Sequence, residues 1–332
     1  MGRTPGCAAY LTIVVLITML CAGVWFKREL AREGTVKDFG WSKSFLLAGS
    51  VCFLGGIYVP NVYPYFFLSP DYNGRGAAFS FCTQPWQNST YILMRLFGLL
   101  TLILFFRIYS KYQVEGISPK EWLAFTIVLT LTNAAKPNFF IAFAPAMFLF
   151  LMKDWICSRG KSFRHAFVFS TTVLASMPIL FVQKKLLFDN STGLTENGIS
   201  VTLIPFLRLV KEGNLLPLLI TGLTFFALVT AATFAAKKKD DQILFGWIML
   251  LISLGEAVFF TETGARAAAG NFGWGVHFCA YALCLLCLKR LFLLKDFMHK
   301  TAYYFTISPF ILMIVTGFAY FAHLLGGGDF IV

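Results

Sequence analysis

Long apolar segments alternate with short polar connections along the entire chain. A helix needs about 20 apolar residues to cross a bilayer, so each such segment predicts a transmembrane helix. The predicted spans are 7–26, 44–66, 91–110, 121–135, 139–153, 166–183, 215–236, 242–261, 274–289 and 301–324. The pattern therefore predicts an all-α polytopic integral membrane protein with about ten transmembrane helices and helical outer-face loops, forming a single transmembrane domain over 1–332. One such outer segment, 201–217, has the pattern of a short amphipathic stretch lying on the membrane surface.

Composition supports this prediction. Of the 332 residues, 58% are hydrophobic and only 13% are charged, whereas a soluble domain carries about a quarter charged residues.

Positive charge is distributed unevenly between the connections. Five of them, 27–43, 107–121, 153–165, 237–241 and 289–300, hold 19 of the 28 lysines and arginines. Cytoplasmic loops carry such an excess, so these connections are predicted to be cytoplasmic and both termini to lie outside. The net charge of +12 is thus a topology signal and a contact surface for anionic membrane lipids, and it does not indicate a nucleic-acid partner.

Motifs for cofactors or metals are not found. The sequence has no nucleotide-phosphate motif, and Cys284 and Cys287 form a CxxC within an apolar helix, where packing is the simpler explanation. We expect neither a cofactor nor a metal.

The stretch EAVFFTETGARAAAGNFGWGVH, residues 256–277, places polar groups between two apolar runs. Its notable members are Glu256, Glu262, Arg266, Asn271, Trp274 and His277. Glu256 and His277 fall within predicted spans, where polar groups are costly and usually functional. Glu262 and Arg266 are four residues apart, the spacing that pairs charges on a helix. A helix-end ion pair, a glycine turn and an interfacial tryptophan would explain the same residues without any activity.

Two other segments carry polar groups toward the same side. The connection 67–90 contains Asp71, Arg75, Trp86 and Asn88, and Arg95 follows one turn into the next span. An arginine at that depth either binds an anion or extends its side chain to the interface.

Lys136 precedes Pro137 between the fourth and fifth spans. Proline removes a backbone donor and disfavours helix at the residue before it, so the backbone should break here. Lys136 would then be an anion site or simply a residue of a tight helical hairpin.

This set of residues suits one reaction. Arginine forks grip phosphates, aromatic rings cover the apolar faces of sugars, and a carboxylate or histidine removes a proton from an acceptor hydroxyl. Cations also stabilise the charge that develops on a departing lipid phosphate.

Three segments, QPWQNSTYILMRLFGLL (84–100), AAKPNFFIAFAPA (134–146) and ETGARAAAGNFGWG (262–275), resemble blocks of multispan proteins from bacterial surface-polysaccharide loci. The chain resembles O-antigen and capsule polymerases and the related GT-C membrane glycosyltransferases. The resemblance implies an enzyme of the bacterial cytoplasmic membrane that transfers or polymerises polyprenyl-linked sugars on the outer face, working alongside other polysaccharide-assembly proteins. Asp71 takes the place of the acidic residue that GT-C enzymes carry in the first outer loop.

The predicted catalytic residues are the acid–base candidates Asp71, Glu256, Glu262 and His277. The predicted substrate-binding residues are Arg75, Arg95, Lys136, Arg266, Trp86, Asn88, Asn271 and Trp274. We expect Arg95, Lys136, Glu256 and Arg266 to border one outward-facing pocket.

Two other classes of function fit part of the pattern. A transporter, such as a flippase for lipid-linked oligosaccharide, also has buried charges and broken helices. An outer-leaflet acyltransferase would use His277. Adjacent genes for glycosyltransferases would favour sugar transfer.

The charge asymmetry predicts a labelling pattern. In a variant without the eight native cysteines, single cysteines at Asn73 and Ala268 should react with an impermeant maleimide applied to intact cells. A cysteine at Lys238 should react only after permeabilisation. Labelling of the Lys238 position in intact cells would contradict the topology.

Overall fold

The computed structural model describes residues 5–32, 40–53, 89–189, 198–203, 215–262 and 272–325. Across these ranges the chain is a bundle of α-helices. The helices are α1 (Pro5–Arg32), α2 (Trp41–Cys52), α3 (Ser89–Tyr109), α4 (Tyr112–Glu115), α5 (Pro119–Ala135), α6 (Asn138–Cys157), α7 (Phe163–Ser176), α8 (Pro178–Gln183), α9 (Leu215–Ala235), α10 (Asp241–Phe259), α11 (Gly273–Leu294) and α12 (Lys300–Leu325). A π turn, Lys184–Asp189, follows α8, and a 3-10 turn, Lys295–Phe297, follows α11.

Seven helical segments are long and apolar enough to cross a membrane, among the described residues. They are Ala9–Arg32, Ser89–Tyr109, Asn138–Cys157, Phe163–Leu186, Asp241–Phe259, Gly273–Phe297 and Lys300–Phe318. The predicted all-α polytopic membrane architecture is confirmed at this level, whereas the count of about ten spans is not. The predicted span 44–66 overlaps α2, which has 12 residues, and its part 54–66 lies outside the described residues. The spans 121–135 and 215–236 match α5, with 17 residues, and α9, with 21.

A short antiparallel strand pair interrupts the helical pattern. Strand β1 (Ile199–Val201) pairs with β2 (Phe260–Glu262), with Ser200 opposite Thr261. These three-residue strands contain β-branched and aromatic side chains, which favour extended backbone. Val201, predicted to belong to an amphipathic segment, thus lies in a strand, and so do Phe260 and Thr261, predicted as the end of the span 242–261, because α10 ends at Phe259. Most of that amphipathic segment lies outside the described residues.

Helix α11 is the centre of the bundle. Every residue from Gly273 to Leu294 is buried except Trp274 and Phe292. Helices α1, α2, α3, α6, α9 and α10 all contact it. Between lipid-embedded helices there is little hydrophobic driving force, so close contact depends on small residues and van der Waals packing. Gly275, Ala280 and Cys284 provide such small surfaces on α11.

Phenylalanine rings join the helices around α3. The Phe105 ring centroid lies 4.5 Å from that of Phe245 on α10 and 5.4 Å from that of Phe143 on α6. It also stacks on Phe169 of α7 at 5.8 Å. Each aromatic pair contributes about 0.5–1.5 kcal/mol beyond area burial, so this group fixes α3 against three helices.

Gly98 lies where α3 packs closely against α11. A Cβ atom at this position would lie 2.6 Å from two ring carbons of Phe278. The Phe278 ring is fully buried and packs edge-on against Phe139 at 5.0 Å. The ring therefore cannot move away from an added Cβ without displacing its neighbours.

We predict that Gly98→Ala lowers stability by about 1–3 kcal/mol, the usual range for overpacking. The matched control is Gly255→Ala, because a Cβ at Gly255 meets nothing within 4 Å. The control should keep or slightly raise stability, since alanine favours helix by up to about 1 kcal/mol over glycine. Thermal unfolding in detergent would measure both variants, and equal midpoints would contradict the packing.

Candidate functional site

The first half of α11 presents aromatic and imidazole rings to α3. Trp274, His277 and Tyr281 are three and four residues apart, so they share one helix face. On α3, Tyr91 faces them: its ring centroid lies 5.3 Å from that of Trp274 and 6.1 Å from that of His277. Trp274 and His277 are themselves 5.3 Å apart. The rings form a wall between the two helices.

Arg95, one turn after Tyr91, is enclosed by this wall. Its side chain is buried, and its guanidinium carbon lies 4.2 Å from the Tyr281 ring centroid and 5.8 Å from that of Tyr91. The guanidinium therefore does not reach out to the interface, the alternative that the sequence left open. These cation–π contacts are each worth about 0.5–2 kcal/mol.

The fork of Arg95 is directed at the end of α2. Its two terminal nitrogens donate to the carbonyl oxygens of Cys52, at 3.5 Å, and Val51, at 3.3 Å. The last carbonyls of a helix lack intrahelical partners and carry partial negative charge, so a cation is favourable there. Arg95 thus fastens α2 to α3.

Lys136 and Pro137 form the corner between α5 and α6. Helix α5 ends at Ala135, Lys136 has an extended backbone, and α6 begins at Asn138. The predicted backbone break is confirmed. Gln183 donates to the Ala134 carbonyl oxygen at 2.7 Å, which satisfies one of the carbonyls left open where α5 stops.

The corner brings Lys136 to the aromatic wall. Its ammonium nitrogen lies 4.5 Å from the Trp274 ring centroid, and the residue is only 8% exposed. Lys136, Trp274, His277, Tyr91, Arg95 and Tyr281 thus form one continuous group, which we call the cation–aromatic cluster. The sequence predicted four of these as site residues. Tyr91 and Tyr281 were not among the predicted site residues, because a tyrosine in a long apolar run resembles a core residue.

The opposite face of α11 contacts α10. A Cβ at Gly275 would lie 2.9 Å from the Ser253 hydroxyl oxygen and 3.4 Å from the Asn138 carbonyl oxygen. Four residues on, the Cys279 sulfur is 3.3 Å from the same hydroxyl. Glycine at position 275 therefore lets α10 and the start of α6 approach α11 closely.

Glu256 lies on this α10 face, three residues beyond Ser253. It is 5% exposed, and its Oε2 atom has no hydrogen-bond partner among the residues that the structure describes. Cys279 is near enough to interact with it electrostatically. An unpaired buried carboxyl group is costly and calls for an explanation.

The predicted constellation is therefore divided by α11. At 3.6 residues per turn, Gly275 and Cys279 point away from Trp274, His277 and Tyr281. Glu256 lies on the side of Gly275 and Cys279, whereas Arg95 lies on the side of Tyr281.

Six of the predicted site residues lie outside the described ranges: Asp71, Arg75, Trp86, Asn88, Arg266 and Asn271. Glu262 is placed by its backbone at the end of β2, opposite Ile199. The helical spacing invoked for Glu262 and Arg266 does not apply at Glu262, because this residue is in a strand.

Charged residues at the other end of α11 were assigned by sequence to a basic loop, 289–300. Instead, Lys289 and Arg290 are buried inside the helix. Lys289 donates to the Gln242 side chain at 2.8 Å and lies 3.8 Å from a Glu29 carboxylate oxygen. Arg290 lies 3.7 Å from a carboxylate oxygen of Asp240. The sequence did contain a signal for these ion pairs, since Glu29 and Asp240 lie near lysines in the connections 27–43 and 237–241.

Within the described part of the chain, no three His, Cys, Asp or Glu side chains are grouped so that they could hold a metal ion.

Comparison with protein-family models, with curated proteins and with solved structures gives no significant match.

The geometry of Arg95 generates a prediction. Lysine keeps the charge but cannot contact two carbonyls as a planar fork does, so Arg95→Lys should lose about 1–3 kcal/mol of stability. Arg164→Lys is the control, because Arg164 is exposed on α7. Unfolding midpoints in detergent would measure both, and an Arg95→Lys midpoint equal to that of the control would contradict the assigned role.

Proposed function

We propose that this protein transfers or polymerises sugars carried on polyprenyl (di)phosphate, at the end of the bundle where α3, the α5–α6 corner and α11 meet. The observation that supports the proposal is the Lys136 ammonium held on Trp274 beside His277, with Glu256 buried across the start of α11. Cation, sugar-stacking ring and acid–base group are the parts that such a transfer requires.

The start of α11 adds to the anion-binding character of this end. The first N–H groups of a helix have no intrahelical acceptor and carry partial positive charge. At α11 the N-cap residue, Phe272, makes no side-chain cap hydrogen bond to them. These groups and Lys136 would together attract the phosphate of a lipid-linked donor.

The reaction would proceed by displacement at the anomeric carbon. An acceptor hydroxyl oxygen forms the new bond to that carbon while the bond to the lipid phosphate oxygen breaks. The hydroxyl proton passes to Glu256 or His277, and the lipid (di)phosphate leaves with the bonding electron pair near Lys136. The half-buried ring of Trp274 would lie against the sugar. Glu256, His277 and Trp274 come from helices, so their geometry would be pre-organised.

The residues predicted from sequence alone complete this proposal. Arg266 and Arg75 would share the phosphate with Lys136, while Asp71 and Glu262 remain alternative bases. The further substrate-binding predictions are Trp86, Asn88 and Asn271. Arg95, also predicted to bind substrate, holds α2 beside the aromatic wall through its contacts with the carbonyl oxygens of Val51 and Cys52.

The proposal includes a setting. The protein would lie in a bacterial cytoplasmic membrane with about ten spans, both termini and the reacting end outside, among other polysaccharide-assembly proteins. Its partners would be the polyprenyl-linked glycan and the surrounding lipids.

We predict that Glu256→Gln, which keeps shape but removes the base, lowers the rate of transfer by about 10²–10⁴-fold. The assay would follow release of polyprenyl (di)phosphate and glycan lengthening by purified protein in nanodiscs with a lipid-linked oligosaccharide. Glu115→Gln is the control, since Glu115 is an exposed residue of α4 that contacts Lys111. His277→Gln identifies the base if Glu256→Gln remains active.

Two results would contradict the proposal. One is full activity in both the Glu256 and His277 variants. The other is movement of intact lipid-linked oligosaccharide across a vesicle membrane with no release of lipid (di)phosphate, which would identify a flippase.

A further inference from the structure

A cavity of about 980 Å³ lies between α1 and α3, at the ends of these helices that carry basic residues. It is separate from the cation–aromatic cluster, because none of its lining residues belongs to that cluster. Its volume is at the upper end of the range for ligand pockets, about 300–1,000 Å³.

The lining changes character along the helices. On α1, Leu20 and Val24 precede Arg28 by two turns and one turn. On α3, the apolar Leu100, Ile103 and Leu104 precede Arg107. Residues three and four apart share a helix face, so both helices present an apolar strip that ends in an arginine.

Two of the cavity's cations are already neutralised. Lys111 contacts Glu121 at 2.8 Å and Glu115 at 3.3 Å, and hydrogen bonds to these carboxylates raise the pKa of Lys111. Arg32 lies 3.4 Å from Glu29. Glu29, the only carboxylate among the residues recorded as lining the cavity, is also engaged, by Lys289.

Arg28 and Arg107 differ from these. Both are exposed, and neither has an ion pair with any residue that the structure describes. Their planar forks suit phosphate oxygens, to which arginine makes paired charge-assisted hydrogen bonds. The two unpaired arginines are contributed by different helices, one on each side of the cavity.

We propose that this cavity binds one anionic glycerophospholipid, with its phosphate between Arg28 and Arg107 and an acyl chain along the apolar strips of α1 and α3. Charge complementarity selects the anionic head group, and the apolar strips select a lipid over a soluble phosphate. The site therefore holds its lipid by two features, the charge of the two arginines and van der Waals contact of the acyl chain with the apolar strips.

Native mass spectrometry of the purified full chain with phosphatidylglycerol tests the head group. We expect Arg28→Gln/Arg107→Gln to bind at least tenfold more weakly than wild type. The matched control is Arg159→Gln/Arg164→Gln, which removes the same charge from exposed positions outside the cavity. Equal weakening in both double variants would mean general electrostatic attraction and would overturn the site.

Fluorescence tests the position of the chain. Trp25 lines the cavity, so phosphatidylglycerol with brominated chains, as a minor component of phosphatidylcholine nanodiscs, should quench its emission. The Trp25 signal is the difference between wild type and Trp25→Phe. Quenching should saturate at a low lipid fraction in wild type and disappear in Arg28→Gln/Arg107→Gln. Quenching that grows only in proportion to brominated lipid would overturn the proposal.

A third measurement separates lipid from free anion. Glycerol phosphate at the same concentration should leave the mass spectrum unchanged. If it binds as tightly as phosphatidylglycerol and competes with it, the apolar strips contribute nothing and the lipid assignment is wrong. Unfolding midpoints of all variants, measured in detergent without added lipid, show whether any loss of binding reflects misfolding.

Discussion

Burial of α11 on all sides is the constraint on which the rest of the bundle depends. A helix satisfies its own backbone groups, and its apolar side chains pack against six neighbours, but its polar side chains are removed from water and lipid head groups alike. Each must find a partner within the protein. Lys289 and Arg290 find Glu29, Gln242 and Asp240. These contacts join α1 and the start of α10 to α11. The buried charges are therefore stabilised only when these helices assemble around α11.

The two ends of α11 meet that requirement with different chemistry. Carboxylates neutralise the cations at the Lys289 end, whereas Arg95 and Lys136 near the other end rest on aromatic rings and, for Arg95, on backbone carbonyls. Ring faces and carbonyls stabilise a cation without cancelling its net charge. Positive charge therefore persists near His277, where an anionic substrate could meet it, whereas the charges of Lys289 and Arg290 face carboxylates.

Sequence patterns predicted the helices well because crossing a membrane requires long apolar runs. Each predicted span overlaps a described helix, although 54–66 of the second span lie outside the described residues and seven helical segments are long and apolar enough to cross. The break at Lys136 was also predictable, since Pro137 imposes it locally. The strand pair was not, because three residues give no measurable periodicity. The division of site residues by α11 could not be predicted either. A helix buried on every face has no polar side to orient it, so nothing in the sequence showed that Glu256 and Arg95 meet opposite faces.

That division decides how the proposed chemistry would have to work. A donor phosphate near Lys136 and a base at Glu256 are separated by the first turn of α11, so a bound sugar would have to cross over the start of this helix. Gly275 lets both the α5–α6 corner and α10 approach the start of α11, because a Cβ there would lie 2.9 Å from the Ser253 hydroxyl oxygen and 3.4 Å from the Asn138 carbonyl oxygen. A larger residue at position 275 would push Ser253, and with it the Glu256 turn, away from Asn138. Glycine at this crossing, more than any single charged residue, would set the distance between cation and base.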